Sequence, residues 1–208
     1  MTNSDLFYSF QSIRIPYLYE DAFQWYESFD QLGELLTDPN PTLALDMMDR
    51  VLEYLTSSCS WPPERIHLFG FAQGGSVAAE VALRRWKISI PAPSSGSSTP
   101  PKLPLGSIVI VDGPLLSYPT FEPACATPAL CFHHSEQEST KRFGSFRKGF
   151  SKTNEVRFPG QEGMPRSKEE WAKIVEFWSR MLSSRLPEME GLHPVLSGGP
   201  SLPAAPAP

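Results

Sequence analysis

Apolar and polar positions alternate along this chain in blocks that switch period repeatedly. Residues 12–18 alternate at every second position up to Pro16, which reads as a strand ended by the proline. Asn40 and Pro41 supply an N-cap and a first-turn proline, and Leu45, Met48, Leu52 and Leu55 follow at helical spacing as a core stripe. Residues 61–65 read as a loop, 66–71 as a buried apolar strand and 73–87 as an Ala-rich helix. The runs 105–111, 128–133 and 154–158 read as further strands, and 141–150 as an irregular helix with a solvated basic face. Ser167 and Glu170 form a capping box. The helix it opens carries Trp171, Ile174, Val175, Trp178 and Leu182 on one stripe. Strands alternating with helices predict an α/β fold, a mostly parallel sheet covered on both faces. Ligands of such sheets lie beyond the carboxyl ends of the strands, where Ala72, His133 and Pro159 fall.

Two segments break the pattern. Residues 90–104 are Pro/Ser-rich and read as a mobile surface insertion, and 187–208 as a disordered tail. Residues 1–186 are then a single domain, a size that supports a substantial core.

Composition narrows the function. A net charge of -5 argues against a nucleic-acid surface. Three scattered cysteines, Cys59, Cys125 and Cys131, suit neither a disulfide framework nor a zinc site, so no metal or other cofactor is expected. No stretch approaches the roughly 20 apolar residues of a membrane helix, and no signal peptide is visible. A cytoplasmic protein is the expectation.

The most informative stretch is Gly70-Phe71-Ala72-Gln73-Gly74-Gly75, placed between an apolar strand and a helix. It fits the small-x-nucleophile-x-small pattern of a nucleophile elbow except at its centre, where Ala72 presents a methyl group. The block resembles the elbow of the phospholipase/carboxylesterase/thioesterase family, the acyl-protein-thioesterase-like α/β-hydrolases, whose signature there is Gly-Phe-Ser-Gln-Gly-Gly. Five of its six residues match. The resemblance runs more weakly over residues 13–186, and Trp61-Pro62-Pro63-Glu64-Arg65-Ile66 and the aromatic run 23–30 are similar to fungal-type members.

The resemblance implies an α/β-hydrolase-like sheet, here N-terminally shortened, and an acyl ester or thioester chemistry whose parts are degenerate. The nucleophile position is Ala72. The family's His-Gly-x-x-Asp pattern puts the acid at Gln137, and the base falls on Met164. Ser76, Glu136 and Glu138 are the substitutes to weigh. Ser76 stands a full turn into the helix, and the two glutamates read more simply as surface carboxylates. His133 and His134 read as structural, His67 lies inside a strand, and His193 lies in the tail. The oxyanion hole retains the backbone N–H of Gln73, but no His-Gly loop exists upstream of the elbow. Phe23, Trp25 and Phe71 are candidate acyl-pocket residues, although a packed loop covering the core is the favoured reading of the aromatic cluster at 23–29.

A sheet strand present in the family is missing between residues 12–18 and the elbow strand. Either residues 12–18 move over to pair with the elbow strand, or residues 6–10 do, or the chain is a shortened product; the last is the expectation. Three functions compete: a catalytically impaired pseudo-hydrolase retaining an acyl ester or lipid-like ligand site, an active ester or thioester hydrolase using non-standard residues, and an inactive truncated isoform. No protein partner is indicated.

Overall fold

The computed structural model describes residues 13–14, 23–89, 103–120, 122–134, 139–160 and 163–183. The insertion at 90–102, the tail, residues 6–10 and the loop bearing Glu136, Gln137 and Glu138 lie outside the described residues.

Four parallel strands form the sheet in sequential order: β3 (His67–Phe71), β4 (Ser107–Val111), β5 (Ala129–His133) and β6 (Thr153–Arg157). They follow a two-residue antiparallel pair, β1 (Ile13–Arg14) with β2 (Phe23–Gln24). The helices are α1 (Thr42–Glu53), α2 (Gln73–Ser89), α3 (Ser139–Gly149) and α4 (Lys168–Ser183). Strands β3 to β6 and helices α1 to α4 were legible as apolar patterns, with ends differing by a residue or two, whereas β1 is described only over Ile13–Arg14 of the strand expected at 12–18, and β2 falls in the aromatic run read as a loop. Asn40 Oδ1 accepts the Thr42 N–H at 3.0 Å, satisfying one orphan donor of α1. Helix α1 continues into a π-helical turn, Tyr54–Ser58. At α4, Ser167 Oγ accepts from Glu170 N at 3.1 Å and Glu170 Oε2 accepts from Ser167 N at 3.2 Å, which is the capping box read from sequence.

Two apolar layers sandwich the sheet. On one face Ile108, Ile110, Ala129 and Cys131 meet Val77, Val81 and Ala82 of α2, Leu52 of α1 and Phe146 of α3. On the other, Val109, Val111, Leu130 and Phe132 meet Ile174 and Phe177 of α4. Strand β4 is buried at all five positions, which is why it reads as an unbroken Ser-Ile-Val-Ile-Val run with no alternation. Cys125 and Cys131 are buried free thiols, Cys59 is exposed, and burial pushes the Cys125 and Cys131 thiols up.

Strand β3 has one strand neighbour among the described residues, β4. The short β1 pairs with β2 and does not shift across to β3, so that means of filling the sheet is not used by Ile13 and Arg14. Phe69 of β3 is left 37% exposed and leans on Trp171 and Trp178 of α4, with ring centroids 6.1 and 5.8 Å away.

Candidate functional site

The elbow is built as the glycine spacing demands. Ala72 sits between β3 and α2 with φ at +48°, a left-handed backbone that alanine adopts only under constraint. Its N–H donates to Val111 O at 2.8 Å, and its carbonyl accepts from Gly75 N and Ser76 N at 3.0 and 3.1 Å. A Cβ on Gly70 would collide with the backbone of Gly74 and Gly75. A Cβ on Gly75 would come within 3.0 Å of both Gly70 O and Ile110 Cγ2. Gly113 presses on the elbow from β4's end, where a Cβ would stand 2.7 Å from Ala72 O. These glycines are therefore required by close backbone approach.

Helix α2 starts at Gln73 with its first N–H groups aimed outward. Those of Gln73 and Gly74 make no hydrogen bond among the described residues, as expected of the first turn. The Gln73 side chain has a separate duty. Its Oε1 accepts from Trp25 N at 2.8 Å, and its Nε2 donates to Tyr26 O at 3.1 Å and Ser28 Oγ at 2.7 Å. The aromatic loop is thereby strapped to the elbow. Trp25 also lies against Gly74, with its Nε1 3.4 Å from where a Cβ would be. Tyr26 is buried, while Phe23 and Phe71 stay open to solvent. Of the three candidate pocket residues, Trp25 and Phe71 are thus placed beside the elbow by contact or by chain.

Ser76 is wholly buried one turn into α2. Its Oγ makes no hydrogen bond of good geometry, although the Tyr26 phenol is near enough to feel it. Burial is the main cause that raises the Tyr26 pKa. No imidazole hydrogen-bonds Ser76 Oγ among the described residues. One turn further, buried Glu80 accepts from Leu116 N and Ser117 N at 2.8 and 2.7 Å, pinning the segment that follows β4.

The residue pair that sequence reasoning left out is Asp112 and His134. Asp112 ends β4 with φ at +50°, and its side chain turns toward the end of β5. Asp112 Oδ2 takes His134 Nδ1 at 2.8 Å and Gly163 N at 2.9 Å, and Oδ1 takes His134 N at 3.1 Å. Both side chains are about 95% buried, at 4% exposure for Asp112 and 5% for His134. The pair therefore bridges the ends of two strands and ties in the loop that carries Met164. Met164 itself is 37% exposed. The available signal was Asp112 closing an apolar strand just before Gly113-Pro114, with two histidines closing the next strand.

The neighbouring His133 points elsewhere, to Glu155 at 2.8 Å. Glu155 also binds Arg157, and hydrogen bonds from Arg157 and His133 outweigh its desolvation to hold its carboxyl below the usual range. Among the described residues no three His, Cys, Asp or Glu side chains are placed to share a metal ion. No helix there is long and apolar enough to cross a membrane.

A parallel sheet sandwiched by helices, with a strand–elbow–helix turn at its carboxyl edge, is an α/β-hydrolase architecture, and that is the fold of this chain. No family model matches it. It is 35% identical over 186 residues to an uncharacterized hydrolase of Mycosarcoma maydis, covering 86% of this chain and 66%, just under two thirds, of that relative's length. Its fold resembles that of Zea mays acyl-protein thioesterase 2, with a TM-score of 0.57 at 18% identity, covering 78% of this chain and 74% of that one. It also resembles a carboxylesterase from Mesorhizobium loti, with a TM-score of 0.53 at 10% identity over 80% and 73% of the two chains. These are the acyl-thioesterase and carboxylesterase folds to which the elbow block points.

Proposed function

We propose that this chain is a catalytically impaired α/β hydrolase that retains a site for an acyl ester or lipid-like ligand at its elbow. One observation carries the reading: the side chain at the apex of a correctly built elbow is the methyl group of Ala72. A saturated carbon has no lone pair with which to form an acyl intermediate. The nearest hydroxyl in the helix, Ser76, is buried, and no base hydrogen-bonds it among the described residues. At the position where the family carries its histidine stands Met164, whose thioether takes up no proton at neutral pH. The ligand would meet the N–H groups of Gln73 and Gly74 at one end and the apolar surfaces of Trp25 and Phe71 at the other. Three cysteines outside any disulfide fit a reducing, cytoplasmic setting.

Purified protein is expected to leave p-nitrophenyl esters and acyl thioesters at their background rate of hydrolysis. Turnover at enzyme-like rates that survives Ser76→Ala would overturn the reading, and turnover lost on Ser76→Ala would support hydrolysis by a non-standard residue.

A further inference from the structure

We propose that residues 28–36 are a docking hairpin for a cationic, amphipathic protein segment, one whose Leu or aromatic side chains are flanked by Lys or Arg. The inference goes beyond the acyl-ligand reading and does not rest on it, because the surface involved is the hairpin and not the elbow.

The hairpin presents apolar side chains on a regular frame. Leu36 N donates to Ser28 O at 2.8 Å and Asp30 N to Glu34 O at 2.9 Å, so Phe29 and Leu35 face each other between two hydrogen-bonded rungs. A pair in that position shares one face of the ladder, with Cβ atoms about 4.5–5.5 Å apart. Leu32 stands at the centre of the turn. Phe29 is 59% exposed, Leu35 71% and Leu32 87%. Single apolar side chains on a surface are ordinary, but neighbours gathered on one small element mark an interaction site.

The turn is closed before anything binds. Asp30 Oδ1 accepts from Leu32 N and Glu34 N, both at 2.9 Å, and Gly33 N donates to Asp30 O at 3.1 Å. Gly33 takes a φ of +81°, which a side chain would resist. The root is fixed by Gln73, whose Nε2 donates to Ser28 Oγ at 2.7 Å. A preformed turn loses little conformational freedom when a partner docks. The Gln73 bond also ties that docking surface to the first turn of α2.

Charge selects the occupant. From Phe23 to Asp49 the chain has no Lys, Arg or His, and Glu27, Asp30, Glu34 and Asp38 are all exposed. None of these four forms an ion pair among the described residues, whereas Asp46 and Asp49 of α1 are answered by Arg84. Asp30 and Glu34 bracket Leu32 two positions away on either side. An anionic lipid surface would repel those carboxylates. A neutral bilayer would have to draw them toward hydrocarbon together with the leucine. Two copies meeting through the same hairpin would set like charges against each other. A protein segment with apolar anchors between Lys or Arg residues satisfies both features at once, and opposite charge steers the encounter.

The probe is an unacylated peptide of about 18 residues, five helical turns, with Leu and Trp on one face and Lys on the other. Titration calorimetry should show binding that weakens as salt is added. Phe29→Ser combined with Leu32→Ser should weaken it at least about tenfold, less than the full burial of one leucine is worth. Glu27→Lys combined with Glu34→Lys should abolish binding of the Lys peptide and confer binding of a version with Glu in place of Lys. In the unsubstituted protein, amide resonances of residues 28–36 should shift on titration, a readout that needs no variant.

Failure of the unsubstituted protein to bind the Lys peptide overturns the proposal. So does binding that leaves the resonances of 28–36 in place, or that both double variants leave unchanged, because the peptide then sits elsewhere on an acidic surface. Binding to phosphatidylcholine vesicles, or dimerisation, that is lost on Phe29→Ser with Leu32→Ser would assign the hairpin to lipid or to a second copy and overturn it as well. The peptide carries no ester and no acyl chain, so the esterase assay and this titration fail independently.

Discussion

Gly70→Ala is expected to abolish cooperative folding, or to leave a protein whose melt is broad and far below that of the unsubstituted chain. The added methyl would overlap the carbonyl of Gly74 and the amide of Gly75. Neither can withdraw without breaking the first turn of α2, which is fixed by Gly75 N and Ser76 N on the Ala72 carbonyl. Overpacking into mobile side chains costs about 1–3 kcal/mol, and collision with a fixed backbone belongs above that range. The matched control is Gly144→Ala in α3, where nothing lies within 4 Å of the added Cβ. There the change should stabilise by about 0.5–1 kcal/mol through helix propensity. Thermal melts followed by circular dichroism read both. A Gly70→Ala protein that melts like the parent would show that β3 and α2 do not meet as described.

Asp112→Ala is expected to cost about 3–5 kcal/mol, the range for removing one partner of a buried pair. Three donors lose their acceptor together: His134 Nδ1, His134 N and Gly163 N. All three lie at the carboxyl edge of the sheet, so the loss should appear first as increased amide exchange at Gly163 and at the end of β5. Denaturant unfolding measures the total. A cost under about 1 kcal/mol, the value of an exposed pair, would mean that water reaches the site freely.

How far the fold was legible follows from which signals are local. The strands and the long helices announce themselves through period, because each must hide one stripe or both faces. The Ser167–Glu170 capping box was equally plain, since both partners lie within one turn. The elbow could be read as a backbone feature because Gly70, Gly74 and Gly75 report crowding directly. What escaped was pairing across strand ends. Asp112 and His134 lie 22 positions apart, and only the parallel register of β4 with β5 brings them together. The family pattern also drew attention to Gln137 and Met164 and away from the residue that closes β4. The double role of Gln73 escaped for a similar reason, its side-chain partners Trp25 and Ser28 lying 48 and 45 positions earlier. Among the described residues β3 has β4 as its one strand neighbour, and Ile13 and Arg14 pair with β2 instead of moving across to it.

The account comes down to one atom type at one turn: carbon, not oxygen, at the tip of the Ala72 side chain. Intact mass spectrometry of the unsubstituted protein after prolonged exposure to a fluorophosphonate reads this directly. The account predicts an unchanged mass. A single stoichiometric adduct, mapped by peptide digestion to Ser76 or to any other hydroxyl near the elbow, would contradict it.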